Sequence, residues 1–239
     1  KGVQAMKERN TQIWEVPYLP IDPSDIGRDY EPIVRINSQS GKGGVAFVMD
    51  TYFGFKLPKA MQKEFANVIQ KISEAQGEVS PDKIMDTFRQ EYLDQKEPIH
   101  FRKLRVDDLS DSVKSEFDTK VNVVYTNKGQ EKSFEAVGNG PIDAVQRGLA
   151  EELGIRIKVL DYEEHAMQSG ANSQAAAYIH LLDSETGRVT YGVGVSSNIT
   201  RASVRAIFSA INRLGLGFNF RVFELDLALA TSSSDFAKS

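Results

Sequence analysis

The chain has 239 residues, 41% of them hydrophobic and 26% charged, with a formal net charge of −4 and no cysteine. That length suits one large domain or two small ones, and that composition is ordinary for a globular protein, so disorder is not the default. The acidic balance argues against nucleic acid as a partner, the missing cysteines remove disulfides and thiolate metal sites, and no apolar run approaches the roughly 18 residues that span a bilayer.

The first residue is Lys1, and Lys1 to Asn10 reads as the tail of a helix that began earlier, as expected of a fragment of a longer protein. Pro17, Pro20 and Pro23, with Pro32 close behind, each disfavour helix at the residue before them. They predict an extended connector, with Trp14, Tyr18, Leu19 and Ile21 available for burial. From Glu31 a short apolar strand pattern leads into a polar, glycine-dense loop ending at Gly41-Lys42-Gly43-Gly44.

A helical pair follows. Met61, Phe65, Val68, Ile69 and Ile72 form one stripe of a helix opened by Pro58 and ended by Gly77. Ser80-Pro81 supplies an N-cap and first-turn proline for a second helix striped by Ile84, Met85, Phe88 and Tyr92. Asp94 to Pro98 breaks the pattern and is placed as a subdomain boundary.

From about residue 100 the character becomes β. Val121, Val123 and Tyr125 alternate with polar residues, and Asn127-Lys128-Gly129 signals a hairpin into a strand through Val137. Gly138-Asn139-Gly140-Pro141 then opens a helix striped by Ile142, Val145, Leu149 and Leu153 and stopped by Gly154. Three strands at about 155–166, 174–183 and 188–196 precede a last helix at about 199–214. The order repeats: strands, a glycine-bearing corner, an amphipathic helix. Gene duplication and two unrelated corners both account for it. The expected fold class is α+β: small helical linker subdomains (1–98), then a pseudo-symmetric regulatory module (99–214) of two strand-strand-(strand)-helix units that bury each other's sheet faces, then a tail (215–239) whose alternation changes phase.

Few residues read as self-contained chemistry. His100, His165 and His180 are too far apart for a local metal-ligand pair, which leaves open only a site assembled from distant segments. On a strand, Asp161, Glu163 and His165 share one face, which a half-solvated strand explains without a metal. Gly41-Lys42-Gly43-Gly44 lacks the spacing of a phosphate loop, and Gly138-Asn139-Gly140 lacks the third glycine of a dinucleotide fingerprint. A tight corner accounts for Gly138 to Pro141, and so does an anion site: Gly140 at the N-cap and Pro141 at N1 leave first-turn amides for a carboxylate, with Ile142, Val159 and Ala166 beside it.

Trp14 to Asp22, Asp25 to Arg28, Arg35 to Gly44, Gly138 to Pro141, Leu160 to Tyr162 with Glu164 to Ala166, Gln174 to Tyr178 and Gly192 to Gly194 together resemble the C-terminal half of the 2-isopropylmalate synthase family. The resemblance implies a homodimeric cytoplasmic acyltransferase of leucine biosynthesis, condensing acetyl-CoA with 2-oxoisovalerate under feedback inhibition by leucine. The catalytic barrel of such enzymes, with its divalent metal (Zn or Mg/Mn), is absent from this chain, so the chain itself is expected to hold no cofactor and to be inactive. The resemblance makes Tyr30 similar to a tyrosine that approaches the partner's active site. It makes Gly138, Asn139, Gly140, Ile142, Val159, Tyr162, Ala166 and Ser173 similar to the leucine pocket, with Ser173 where alanine is usual and Ile142 where leucine is. The same region of a citramalate or homocitrate synthase, or a free-standing amino-acid-binding module, are the alternative readings.

Overall fold

The computed structural model describes residues 42–93, 95–109, 117–167 and 173–215. Tyr30, the proline-rich connector, the strand pattern after Glu31 and the tail beyond Gly215 lie outside the described residues.

Among the described residues three helices come first: α1 (Lys42–Phe53), α2 (Lys59–Gln76) and α3 (Pro81–Glu91). The start of α1 corrects the expected loop, since Lys42, Gly43 and Gly44 form its first turn. Val45, Val48 and Met49 are buried along one stripe, and that burial outweighs the low helix propensity of two glycines. Among the described residues outside its own helix turn, no atom lies within 4 Å of where a Gly43 Cβ would stand. The next two helices follow the sequence closely. Helix α2 starts after Pro58 and stops at Gly77, and the Ser80 side chain accepts from the Lys83 N–H to cap α3. Phe65, Phe88 and Tyr92 meet ring to ring between them, with centroids 5.4–5.6 Å apart.

The remainder is two units of the same design. Strands β1 (Ile99–Asp108), β2 (Thr119–Asn127) and β3 (Gln130–Gly138) form an antiparallel sheet followed by α4 (Pro141–Leu153). Strands β4 (Ile157–Ala166), β5 (Ala175–Asp183) and β6 (Val189–Ser196) form the second, followed by α5 (Ile199–Leu214). The likeness extends to irregularities. β1 carries its register shift between Phe101 and Lys103, and β4 between Val159 and Asp161, so each ten-residue strand bulges after its third residue. Each bulge changes which alternate residues face inward: Ile99 and Phe101 give way to Leu104, and Ile157 and Val159 to Tyr162. A single core then joins both units, with Val121, Val123, Tyr125, Val145 and Leu149 from the first against Ile179, Leu181, Val204, Ile207 and Phe208 from the second.

The helical layer is bound to the second unit. The Val193 N–H donates to the Tyr92 carbonyl at 3.0 Å, and Leu93 bridges in parallel to Val193 at the sheet edge. Ser209 Oγ donates to the Tyr92 carbonyl at 2.6 Å, and Asn212 Nδ2 donates to the Gln95 and Ile99 carbonyls, each at 2.7 Å. Arg213 lies over the Tyr92 ring, 3.9 Å from its centroid, and reaches the Glu64 carboxylate at 3.1 Å. Burial raises the Tyr92 phenol far above its ordinary range; Arg213 opposes the shift and Glu64 adds to it. The described residues lie within one compact unit, Ile36–Ser239. Among them no helix is long and apolar enough to cross a membrane.

Candidate functional site

The corner at Gly138 to Pro141 opens beside a cleft. Gly140 is the N-cap of α4 in an extended conformation, Pro141 is the first helical residue, and among the described residues no side chain caps this end. An open cleft of about 420 Å³ lies there, lined by Asn139, Gly140, Pro141, Ile142, Asp143, Gln146, Val159 and Tyr162. The amides of Ile142 and Asp143 have no carbonyl four residues back within the helix, and the helix dipole places partial positive charge at this end.

Five of the expected residues meet in this cleft: Asn139, Gly140, Ile142, Val159 and Tyr162. Gly138 does not line it, and its role is packing. A Cβ there would stand 2.5 Å from the Ala144 nitrogen, so the end of β3 passes α4 at a distance only glycine allows. Ala166 is exposed at the far end of β4, where it pairs with Ala175. Four residues at about 3.3 Å each carry it roughly 13 Å beyond Tyr162. Ser173 precedes β5, and its hydroxyl donates to the Gln174 carbonyl. Neither belongs to the lining of this cleft.

Two lining residues escaped the sequence reading. Asp143 Oδ2 accepts from the Asn139 N–H at 3.0 Å, and the same carboxylate pairs with Arg147 Nε at 3.0 Å. The corner therefore already holds one carboxylate, where the sequence suggested only donors. An acid at the third helical position, reaching back past the N-cap, was the available signal. Gln146 lies four residues after Ile142 and hence on the same helix face. Its Nε2 donates to the Ile157 carbonyl at 3.1 Å, and its Oε1 accepts from the Val159 N–H at 3.4 Å.

Tyr162 ties the cleft to the second helix and to the rest of β4. Its hydroxyl lies 2.9 Å from Ser203 Oγ on α5 and also bonds the Glu164 carboxylate. Three residues further along β4, His165 Nε2 lies 2.9 Å from the Gly54 carbonyl and 3.3 Å from the Lys56 nitrogen, and its ring stacks on Tyr178. Among the described residues no three His, Asp or Glu side chains gather as metal ligands would.

Two linked α+β units around one core, with an open cleft at one helix start, define a module of paired sheet-and-helix units. The chain belongs to the family of the LeuA allosteric (dimerisation) domain, whose model matches residues 78–215, more than half its length. A second model, described as alpha-isopropylmalate synthase post-catalytic domain-like, matches residues 1–50. The 2-isopropylmalate synthase of Clostridium acetobutylicum is 42% identical over 214 residues, covering 89% of this chain and 38% of that protein. Those of Mycobacterium leprae and Mesorhizobium japonicum are 45% and 41% identical, covering 84% and 90% of this chain and 32% and 38% of the relatives. The chain thus spans well under half the length of the relatives it matches.

Proposed function

We propose that this chain is the linker and leucine-sensing region of a cytoplasmic, homodimeric 2-isopropylmalate synthase. Catalysis, with its divalent metal, then takes place in a barrel elsewhere in the protein, and Tyr30 reaches the partner's active site. The single observation that carries the reading is the cleft at Gly140, the uncapped one of two equivalent corners. A free amino acid fits its charges better than a plain carboxylate does. The α-carboxylate takes the amides of Ile142 and Asp143, the ammonium faces the Asp143 carboxylate, and the aliphatic tail lies along Ile142, Val159 and Tyr162. Gly138 supports the corner from below. Ala166 and Ser173 act where a second regulatory module completes the pocket. The signal then leaves along β4, which carries Tyr162 in the cleft and His165 against the α1–α2 loop, with a coupling of about 1–3 kcal/mol.

Titration calorimetry with leucine, isoleucine and lysine tests the reading, with leucine expected to bind. Gly140→Val should lose that binding with an unchanged circular dichroism spectrum, because no atom of the described residues lies within 4 Å of a Cβ there and the extended backbone accepts any residue. Equal leucine affinity in Gly140→Val would sink the placement. Light scattering at micromolar concentration should report a dimer; a monomer with leucine bound would remove the shared pocket.

A further inference from the structure

Asn139-Gly140 is the one Asn-Gly step in the chain. Asparagine is thermolabile because the amide nitrogen of the next residue attacks its side-chain carbonyl, and a side chain on that next residue stands in the way. Here the next residue has no Cβ, and beyond its chain neighbours no atom of the described residues lies within 4 Å of where one would stand. Asn139 is exposed, in the bend between β3 and α4. Its own N–H is held by Asp143 Oδ2 at 3.0 Å, but among the described residues neither its carboxamide nor the Gly140 N–H has a hydrogen-bond partner. The nucleophile and the carbonyl it would attack are both left free. The equivalent corner of the second unit is protected twice. Asn198 Oδ1 accepts from the Arg201 N–H at 2.9 Å, and the residue after it is Ile199, branched at Cβ.

We propose that Asn139 is a spontaneous modification site, converted by water to aspartate and isoaspartate, and that the isoaspartyl form closes the corner to a carboxylate ligand. The Gly140 nitrogen loses its proton to solvent and bonds to Asn139 Cγ. The Cγ–Nδ2 bond breaks and ammonia leaves, giving a cyclic imide. Water then adds to either imide carbonyl. Cleavage between Cγ and the nitrogen gives aspartate, and cleavage between the main-chain carbonyl carbon and the nitrogen gives isoaspartate. One water is consumed and one ammonia released, with no oxidant or reductant. Isoaspartate adds one carbon to the main chain ahead of the Gly140 nitrogen and leaves a free carboxylate beside it. The strand end cannot take up the extra length, because a Cβ on Gly138 would already stand 2.5 Å from the Ala144 nitrogen. The displacement falls instead on Gly140 and the first turn of α4, with a new negative charge near Asp143. The loss of leucine rests on the placement proposed above; the modification itself does not.

The test ages the whole chain in mildly alkaline buffer and follows two tryptic peptides by mass spectrometry, 133–147 around Asn139 and 189–201 around Asn198. The first should convert to two chromatographically distinct acids while the second stays an amide. Gly140→Val, which the open extended backbone accommodates, should slow the conversion by about tenfold by crowding the attacking nitrogen. Leucine calorimetry on fresh and aged portions should show binding sites lost in step with the isoaspartyl fraction. An unchanged residue 139, equal conversion at Asn198, or a rate indifferent to Gly140→Val would overturn the site. Full leucine binding by chain already converted to isoaspartate would overturn the closure. A fresh chain that binds no leucine would sink the leucine placement and the closure with it, while the peptide map still decides the modification.

Discussion

The two strand-and-helix units share a plan and differ in how they finish it. In the first, the outer sheet face carries Lys120, Asn122 and Glu135, with Lys120 2.8 Å from the Glu135 carboxylate, and it faces water. In the second, the corresponding face carries Ala176, Tyr178, Tyr191 and Val193, all buried beneath the helical layer. The helix starts differ as sharply. Asn198 caps α5 with its own side chain, accepting from the Arg201 N–H at 2.9 Å, while α4 begins at a bare glycine with a cleft beside it. One unit has been turned into scaffold. The other keeps its corner available.

The sharpest way to break that comparison is through close approach. A Cβ on Gly192 would stand 2.2 Å from the Ala206 carbonyl oxygen and 2.3 Å from the Ala210 nitrogen, both backbone atoms of α5. A Cβ on Gly148 would meet the Phe134 ring at 2.2 Å and the Ala136 Cβ at 2.9 Å, side-chain atoms and not backbone. Gly192→Ala should therefore cost about 3 kcal/mol in urea unfolding, and Gly148→Ala about 1 kcal/mol or less once its gain in helix propensity is counted. Equal costs would mean that the two helices are not held to their sheets in different ways.

A smaller effect tests the caps. Asn198→Ala should lose about 1 kcal/mol, whereas Gly140→Asn, which installs at α4 the cap that α5 already has, should gain a few tenths. A loss at Gly140→Asn would show the bare corner to be a structural requirement.

The smallest effect lies in the hairpin turns. The β2–β3 turn needs only Lys128 and Gly129, both at positive φ, as two-residue hairpin loops do. The β5–β6 turn is organised by Asp183, 1% exposed. Burial alone would raise its carboxyl, but the Thr186 hydroxyl, the Glu185 and Thr186 amides and the Arg188 charge outweigh it and leave Asp183 below its ordinary range. A lowered carboxylate stabilises the fold in full above its unfolded value, about 4, and that contribution fades as pH falls through the folded value. Acid unfolding of Asp183→Asn should thus be less steep below about pH 4 than that of the parent. Identical acid limbs would remove Asp183 from this role.

Much of this was legible in the sequence because apolar periodicity and turn residues carry it. Ser80-Pro81, Lys128-Gly129, Gly154 and the stripe of α5 fall where local chemistry puts them. Gly43 and Gly44 misled because glycine marks a loop only until a buried stripe such as Val45, Val48 and Met49 overrides it. The bulges were hidden, since an exposed Leu160 looks like one more core residue in an alternating strand. In the cleft, Gly140, Ile142, Val159 and Tyr162 could be named from residue type and resemblance. Asp143 and Gln146 were passed over: their positions on the helix were signals, but the backbone groups they reach back to are brought near only by the fold.

Gln146 has a consequence for how molecules of this protein meet one another. β4 is an outermost strand, and such a strand offers its free carbonyls and amides to any extended peptide that drifts alongside. The glutamine's amide answers the Ile157 carbonyl and the Val159 N–H as a passing strand would, so those two rungs are taken before a stranger arrives. The residue that shapes one wall of the cleft also guards the sheet against accretion.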